Sequence, residues 1–336
     1  MNAMNINSHE TNVVHTQTKD EVSFYQDVLE GLQAENKYLP SKYFYDIKGD
    51  KLFQDIMRCE EYYPFDCELE IFSKRTADLA SVITRYGGSF DLIELGAGDC
   101  TKSGYLLKYL VKQAADFNYM PIDISTNIIS YLSTELSRSI PGLKVTGLNG
   151  EYMEMLEKAA TISDNRKVLL FLGSNLGNMP PTRALMFCRE LRSHMQKGDL
   201  AIIGLDLRKD PKTILAAYND KEGITRQFNL NLLERINREL NADFDLSKFE
   251  HYPTYDPATG ACKSYLVSLL DQVVYIPANT GAEEIRFKNG ECIFMEISQK
   301  YAFNEIELMA KRSGFKISGQ FYDQRNWFVD AVWEAI

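Results

Sequence analysis

The chain has 336 residues, 45% of them hydrophobic and 25% charged, a globular composition with room for one large domain or two smaller ones. Its formal net charge is −10 and its isoelectric point about 5.1, so it lacks the basic excess needed to track a phosphate backbone, and nucleic acid is not an expected partner. No run approaches the roughly 18 apolar residues of a membrane span, and the polar N-terminus has no signal-peptide core; the scattered cysteines form no CxxC pair and the histidines no metal-ligand spacing, so a cytoplasmic protein without a metal site is expected.

Residues 1–20 are rich in Asn, Thr and His without an apolar period, which predicts a mobile tail. Val22, Tyr25, Val28, Leu29 and Leu32 then space as a helix over 21–33. The segment Leu39 to Phe53, continued by Cys59 to Pro64, is unusually aromatic for turn-rich sequence. Such aromatics either pad a core edge or line a binding wall, where Tyr offers an apolar body and a polar tip. Residues 67–86 read as one helix leading into the stretch that organises the chain.

That stretch is Ser89-Phe90-Asp91-Leu92-Ile93-Glu94-Leu95-Gly96-Ala97-Gly98-Asp99-Cys100-Thr101-Lys102. Phe90, Leu92, Ile93 and Leu95 suit a buried strand, and two glycines allow a tight turn close to a ligand. Tyr105, Leu106, Tyr109 and Leu110 then take helical spacing. Strand, glycine turn and helix is how open α/β sheets seat a nucleotide. Thr101 stands where a dinucleotide turn wants a third glycine. The E-x-G-x-G form of Glu94, Gly96 and Gly98 instead resembles S-adenosylmethionine-dependent methyltransferases. About 25 residues on, Tyr119 to Asp123 reads as a second strand ending in an acid, placed to accept both ribose hydroxyls. The alternative is a glycine turn that binds nothing and an Asp that caps the next helix.

Strands are predicted at 119–123, 144–148, 167–172 and 200–205, with helices near 102–115, 127–138, 152–160 and 182–195 and Ser125 as an N-cap. This alternation indicates a parallel sheet covered on both faces. The rhythm breaks after Asp206. Helices near 211–218 and 223–240 precede strands at 264–270, 272–276, 284–287 and 291–299. A helix over 303–313 and a hairpin of 315–323 with 327–333 close the chain. A seven-stranded methyltransferase sheet is thus expected from 66–209 and 299–336. A second α+β domain, expected from 21–65 and 210–298, would hold the substrate against it.

Three places stand out as site candidates. Phe171 to Asn178 ends the fourth strand with two glycines and small polar residues, either capping a loop or facing the ligand crevice with Asn178 as a donor. Alternation puts Phe294, Glu296 and Ser298 on one strand face; that face is either solvated, or Glu296 meets a polar ligand. Asp206 and Asp210, flanking Arg208 and Lys209, read as surface charges or helix caps.

The ordered motifs Tyr43-Phe44-Tyr45-Asp46, Glu61-Tyr62-Tyr63-Pro64, Glu94-Leu95-Gly96-Ala97-Gly98, Phe171-Leu172-Gly173-Ser174, Gly177-Asn178 and Ala216-Ala217-Tyr218 resemble the histidine-specific methyltransferases of the ergothioneine pathway. So do Phe228-Asn229, Asn237-Arg238-Glu239-Leu240, Ala242-Asp243-Phe244-Asp245, Phe249-Glu250-His251 and Glu296-Ile297-Ser298. The resemblance is collinear from about Leu39 to the C-terminus. It implies a class I, Rossmann-like methyltransferase domain with a second substrate domain, and three methyl transfers from S-adenosylmethionine to the α-amine of L-histidine, giving hercynine. It implies that Gly96, Gly98, Lys102, Asp123, Glu151 and Tyr152 serve the cofactor, with Glu151 where the family commonly has Asp. Gly173, Asn178 and Tyr218 would hold the substrate, the last two as a carboxylate clamp. Tyr62 would bond the α-amine as the catalytic residue, with Tyr45 and Phe53 as walls, and Glu296 and Ser298 would hold the imidazole. Ser264 stands where the family often has Met, which would change the side-chain wall. Another amino acid, such as tryptophan or a prenylated tryptophan, therefore stays open, as does a non-catalytic cofactor-binding protein. A monomer is expected.

Overall fold

The computed structural model describes residues 19–278 and 281–336. The expected tail lies outside them except for Lys19 and Asp20, which open the first helix. In chain order the elements begin with α1 (Lys19–Gln33), α2 (Ile47–Ile56), α3 (Tyr63–Lys74), α4 (Thr76–Thr84), β1 (Phe90–Leu95), α5 (Ser103–Lys112) and β2 (Phe117–Asp123). There follow α6 (Thr126–Tyr131), a π turn, α7 (Ser137–Ser139), β3 (Leu148–Asn149), α8 (Tyr152–Ile162), β4 (Arg166–Phe171), α9 (Pro181–Ser193) and β5 (Leu200–Asp206). The remainder comprises α10 (Pro211–Ala217), α11 (Ile224–Leu240), β6 (Phe249–Asp256), β7 (Ala261–Ser268), β8 (Gln272–Pro277), β9 (Ala282–Phe287), β10 (Cys292–Gln299), α12 (Phe303–Arg312), β11 (Phe315–Tyr322) and β12 (Phe328–Ala335).

Seven strands form one sheet in the order β11-β12-β5-β4-β1-β2-β3, parallel except for β12, which runs antiparallel to both β5 and β11. This is the class I methyltransferase arrangement. Period-2 alternation sorts its side chains into two cores. Leu92, Val168, Leu170, Leu200 and Ile202 face α3, α4 and α5, while Ile93, Leu95, Leu169, Ile203 and Leu205 face α8, α9 and α12. With both faces covered, β1 and β5 are buried along their whole lengths.

A third core joins two distant segments. Phe24, Val28 and Leu32 of α1, with Leu39, Phe44, Leu52 and Ile56, pack on Leu232, Leu233 and Ile236 of α11 and on Leu266, Ile293 and Met295. The backbone of Lys37 to Leu39 also pairs with Phe294: Leu39 N–H donates to the Phe294 carbonyl at 2.9 Å, and Phe294 N–H donates to that of Lys37 at 2.8 Å. Sheet β10-β7-β6 and hairpin β8-β9 complete this part of the molecule.

Four expectations change. The single helix over 67–86 is α3 and α4, divided at Arg75 (φ −111°, ψ 16°). The helix over 127–138 contains a π turn at Leu132–Leu136. The strand over 144–148 is interrupted: Lys144 to Thr146 pair through the backbone only with Tyr119 of β2, and regular pairing resumes at β3, after Gly147 packs against Ser133 and Ile129. Finally, β6 has no counterpart in the sequence reading: its Pro253 argues against a central strand, and the strand lies at a sheet edge, where a missing N–H is tolerated. Among the described residues no helix is long and apolar enough to cross a membrane.

Candidate active site

The carboxyl ends of β1, β2 and β4 converge on one rim. Gly96 closes β1 at φ +70°, and a Cβ there would lie 2.8 Å from the Tyr152 hydroxyl. Gly98, at φ +52°, opens on empty space, where a larger residue would intrude. Its N–H donates to Asp123 Oδ2 at 3.3 Å, and Asp123 Oδ1 accepts from Ser125 N–H at 2.9 Å. Ser125 also caps α6 through Ile128 N–H, as expected. Glu151 is exposed just before α8, and its charge and that of Asp123 both act on the Tyr152 hydroxyl. The Lys102 ammonium lies 3.6 Å from where a Gly173 Cβ would be and pairs with Glu68. The structure thus brings Gly96 beside Tyr152, Gly98 beside Asp123 and Lys102 beside Gly173, at the carboxyl ends of β1, β2 and β4. A glycine turn, a carboxylate and an ammonium at that edge fit the donor and acceptor needs of S-adenosylmethionine. Glu94 is not part of that edge. It is buried beneath the strand, accepts the Tyr119 hydroxyl at 2.6 Å, and burial pushes its carboxyl up to about 7.

Beyond β4 the chain turns sharply. Gly173 (φ +74°) and Ser174 (φ +57°) are both left-handed, a rare conformation for serine that here starts the helical turn Asn175–Asn178. Two contacts fix it: Gly173 N–H donates to Glu68 at 2.9 Å, and Ser174 Oγ accepts from Asp206 N–H at 3.2 Å. Next to this loop lies a cavity of about 740 Å³, its mouth included, which reaches from the end of the sheet to the third core.

Aromatic rings form a wall of this cavity. Tyr45 and Phe53 meet at 5.7 Å, Phe53 and Tyr62 at 6.5 Å, and Tyr62 and Tyr218 at 6.3 Å, all near edge-to-face. Phe228 of α11 stands 6.0 Å from Phe53 and 5.8 Å from Tyr45. Burial holds the Tyr62 and Tyr218 phenols well above the ordinary 10, so both act as neutral hydroxyls. Gly173 and Asn178 line the rim; Glu296 and Ser298 line the floor.

Under the floor is a buried charge cluster. Asp206 Oδ2 accepts from Lys300 Nζ at 2.7 Å and from the Tyr63 hydroxyl at 2.9 Å, and Oδ1 pairs with Lys209. Lys300 also donates to Tyr218 Oη at 2.7 Å and Ser298 Oγ at 2.8 Å. Tyr218 O–H donates to Ser298 Oγ at 2.7 Å. Burial works to raise the Asp206 pKa, but the two ammoniums outweigh it and hold the carboxyl below its ordinary value. The sequence reading of Asp206 as a surface charge is therefore wrong: it is fully buried and borders the cavity. Asp210 does cap a helix, accepting from Lys212 N–H at 2.9 Å.

Glu296 behaves differently. It borders the cavity and keeps part of its surface exposed there, and desolvation pushes its carboxyl up to about 7 against the opposing pull of Lys300. A bulge between Phe294 and Glu296 shifts the register of β10, setting Glu296 opposite Ser264 of β7. Ser264 does not form the cavity wall that the resemblance implies. It is buried behind Glu296, near enough to favour the ionised carboxylate though outside hydrogen-bond geometry.

Sequence reasoning misread Asp206 and gave no site role to Phe228, Lys300 or Glu68. Two of these had a signal. Glu296, Ser298 and Lys300 follow one alternation, so a face holding the first two also holds the third. Glu68 sits four residues from both Pro64 and Phe72, on the buried face of α3.

The family described as histidine-specific, S-adenosylmethionine-dependent methyltransferases matches residues 24–335. A histidine N-alpha-methyltransferase from Mycobacterium tuberculosis (strain CDC 1551 / Oshkosh) is 35% identical over 278 residues, 82% of this chain and 84% of the relative. One from Mycolicibacterium smegmatis is 32% identical, covering 91% of this chain and 90% of the relative. An L-tryptophan methyltransferase from Psilocybe serbica is 25% identical, covering 89% of each. The chain belongs to the histidine-specific methyltransferase family and is an S-adenosylmethionine-dependent amino-acid N-methyltransferase.

Proposed function

We propose that the protein methylates the α-amine of L-histidine three times, giving hercynine, in a cavity between a methyltransferase domain (66–209 and 299–336) and a substrate domain (21–65 and 210–298). One observation supports this reading: a single cavity is lined by Asn178 and Tyr218 as polar donors, by Glu296 as an acceptor, and by aromatic rings. Asn178 and Tyr218 would hold the carboxylate, and Glu296 and Ser298 the imidazole. Gly96, Gly98, Lys102, Asp123, Glu151 and Tyr152 would hold the cofactor, which supplies a methyl group on a sulfonium.

The chain's own task is positioning. A free α-amine titrates at about 8 or above, so a neutral fraction exists near pH 7 and no strong base is needed. Tyr62, kept neutral by burial, can orient the amine lone pair and relay the lost proton to water. With each methyl the amine loses a proton and bulk grows. Tyr45, Phe53, Tyr62 and Phe228 then face a cation, each contact adding about 0.5–2 kcal/mol. The six cysteines are unpaired, which suits the reducing cytoplasm.

Mass spectrometry of purified protein with S-adenosylmethionine and histidine tests the reading, with tryptophan and tyrosine in parallel. Successive mono-, di- and trimethylated histidine is the expected result. Faster turnover of tryptophan, or accumulation of the monomethyl product alone, would overturn it.

A further inference from the structure

We infer that Lys300 is the positioning residue of the substrate's carboxylate, and that the Lys209–Asp206–Lys300 triad supplies the positive charge that receives it. The inference rests on the amino-acid reading above, and it concerns residues outside the clamp proposed there.

Charge counting starts the case. Two ammoniums face one carboxylate, so the triad carries one net positive charge. Lys300 and Asp206 are fully buried, Lys209 nearly so. Uncompensated charge in such a place is costly, and a ligand bringing one negative charge relieves it. Among the described residues lining the cavity, Lys300 is the one cation.

Donor counting gives the direction. An ammonium has three N–H donors, and those of Lys300 go to Asp206 Oδ2, Tyr218 Oη and Ser298 Oγ. A hydroxyl that accepts from an ammonium must turn its own proton elsewhere. Ser298 Oγ accepts twice, from Lys300 and Tyr218, so its proton is left to donate. The Tyr218 proton can leave Ser298 for a ligand placed above it. Lys300 therefore leaves the Tyr218 hydroxyl a donor over a positive charge, which suits a carboxylate, and leaves the Ser298 proton for the imidazole. Since its own side chain has no exposed surface, it acts through these hydroxyls. Glu296 lies two residues before Ser298 on the same strand face, about 7 Å by strand rise, and demands a donor instead. The cavity is polarised along its length, so an amino acid fits in one orientation.

The test compares L-histidine with L-histidinamide, which has the same shape without the charge. Affinities are measured by calorimetry on protein saturated with S-adenosylhomocysteine, for the wild type, Lys300→Met, Lys300→Gln and Lys300→Arg. Wild type should prefer histidine by about 10- to 100-fold, the span of one charged hydrogen-bonded contact. Met and Gln variants should bring this ratio to about one by weakening histidine alone, raising its KM more than they lower kcat, and Arg should restore part of it. Gln keeps polar contact with Asp206, so it serves if Met does not fold, and retained S-adenosylhomocysteine binding marks a folded variant. A folded Met or Gln variant that keeps the wild-type ratio overturns the role of Lys300. Wild type that binds both ligands equally instead sinks the carboxylate clamp itself.

Discussion

Two carboxylates border the cavity, Asp206 fully buried and Glu296 partly exposed, in opposite electrostatic states. Asp206 meets two ammoniums and a phenol, and stays ionised below its ordinary range. Glu296 meets no cation at contact distance, and burial raises its carboxyl to about 7. The first is matched by cations within a cluster that keeps one net positive charge. The second has no cation beside it among the described residues, and a ligand N–H would relieve the cost.

The comparison breaks first at Asp206. Asp206→Ala leaves two buried ammoniums without their partner and should cost about 3–5 kcal/mol in urea unfolding. A loss below about 1 kcal/mol would mean the cluster is not a structural ion pair. By contrast, Glu296→Gln removes a charge that burial already disfavours and should leave stability at pH 7 unchanged or higher.

The pH dependences should have opposite signs. The Asp206 pKa is depressed, so its contribution is present above the ordinary 3.8 and lost as pH falls through its lower folded value. The Glu296 pKa is raised, so its contribution is complete below 4.5 and lost as pH rises toward about 7. Over that window the wild type should lose up to about 3 kcal/mol relative to Glu296→Gln, and saturating histidine should flatten the slope. Parallel stability curves for the two proteins would place Glu296 in water.

Smaller effects sharpen the ligand side. Glu296→Ala should weaken histidine by about 10- to 100-fold with S-adenosylhomocysteine binding unchanged, read by calorimetry. Tyr62→Phe should slow single-turnover methyl transfer by about tenfold, the effect of one lost hydrogen bond, with less change in cofactor affinity. Cofactor affinity falling more than the transfer rate would remove Tyr62 from the amine.

Local sequence determined the alternating sheet, the glycine turn at Gly96 and Gly98, the acid at Asp123 and the break after Asp206. Each follows from spacing, because burial on a strand or helix repeats with a period fixed by the backbone. The aromatic segment and the Asn178 loop were visible as candidates, and the family resemblance assigned them roles that spacing could not. Tertiary structure decided the rest. Asp206 reads as a surface acid until Lys300, brought in from beyond the insertion, neutralises it. Ser264 reads as a wall until the bulge at Phe294 and Glu296 sets it behind the carboxylate. Pro253 hides a strand until the sheet shows that strand at its edge. In all three cases the deciding energy lies in pairing between distant segments, and local spacing carries no record of it.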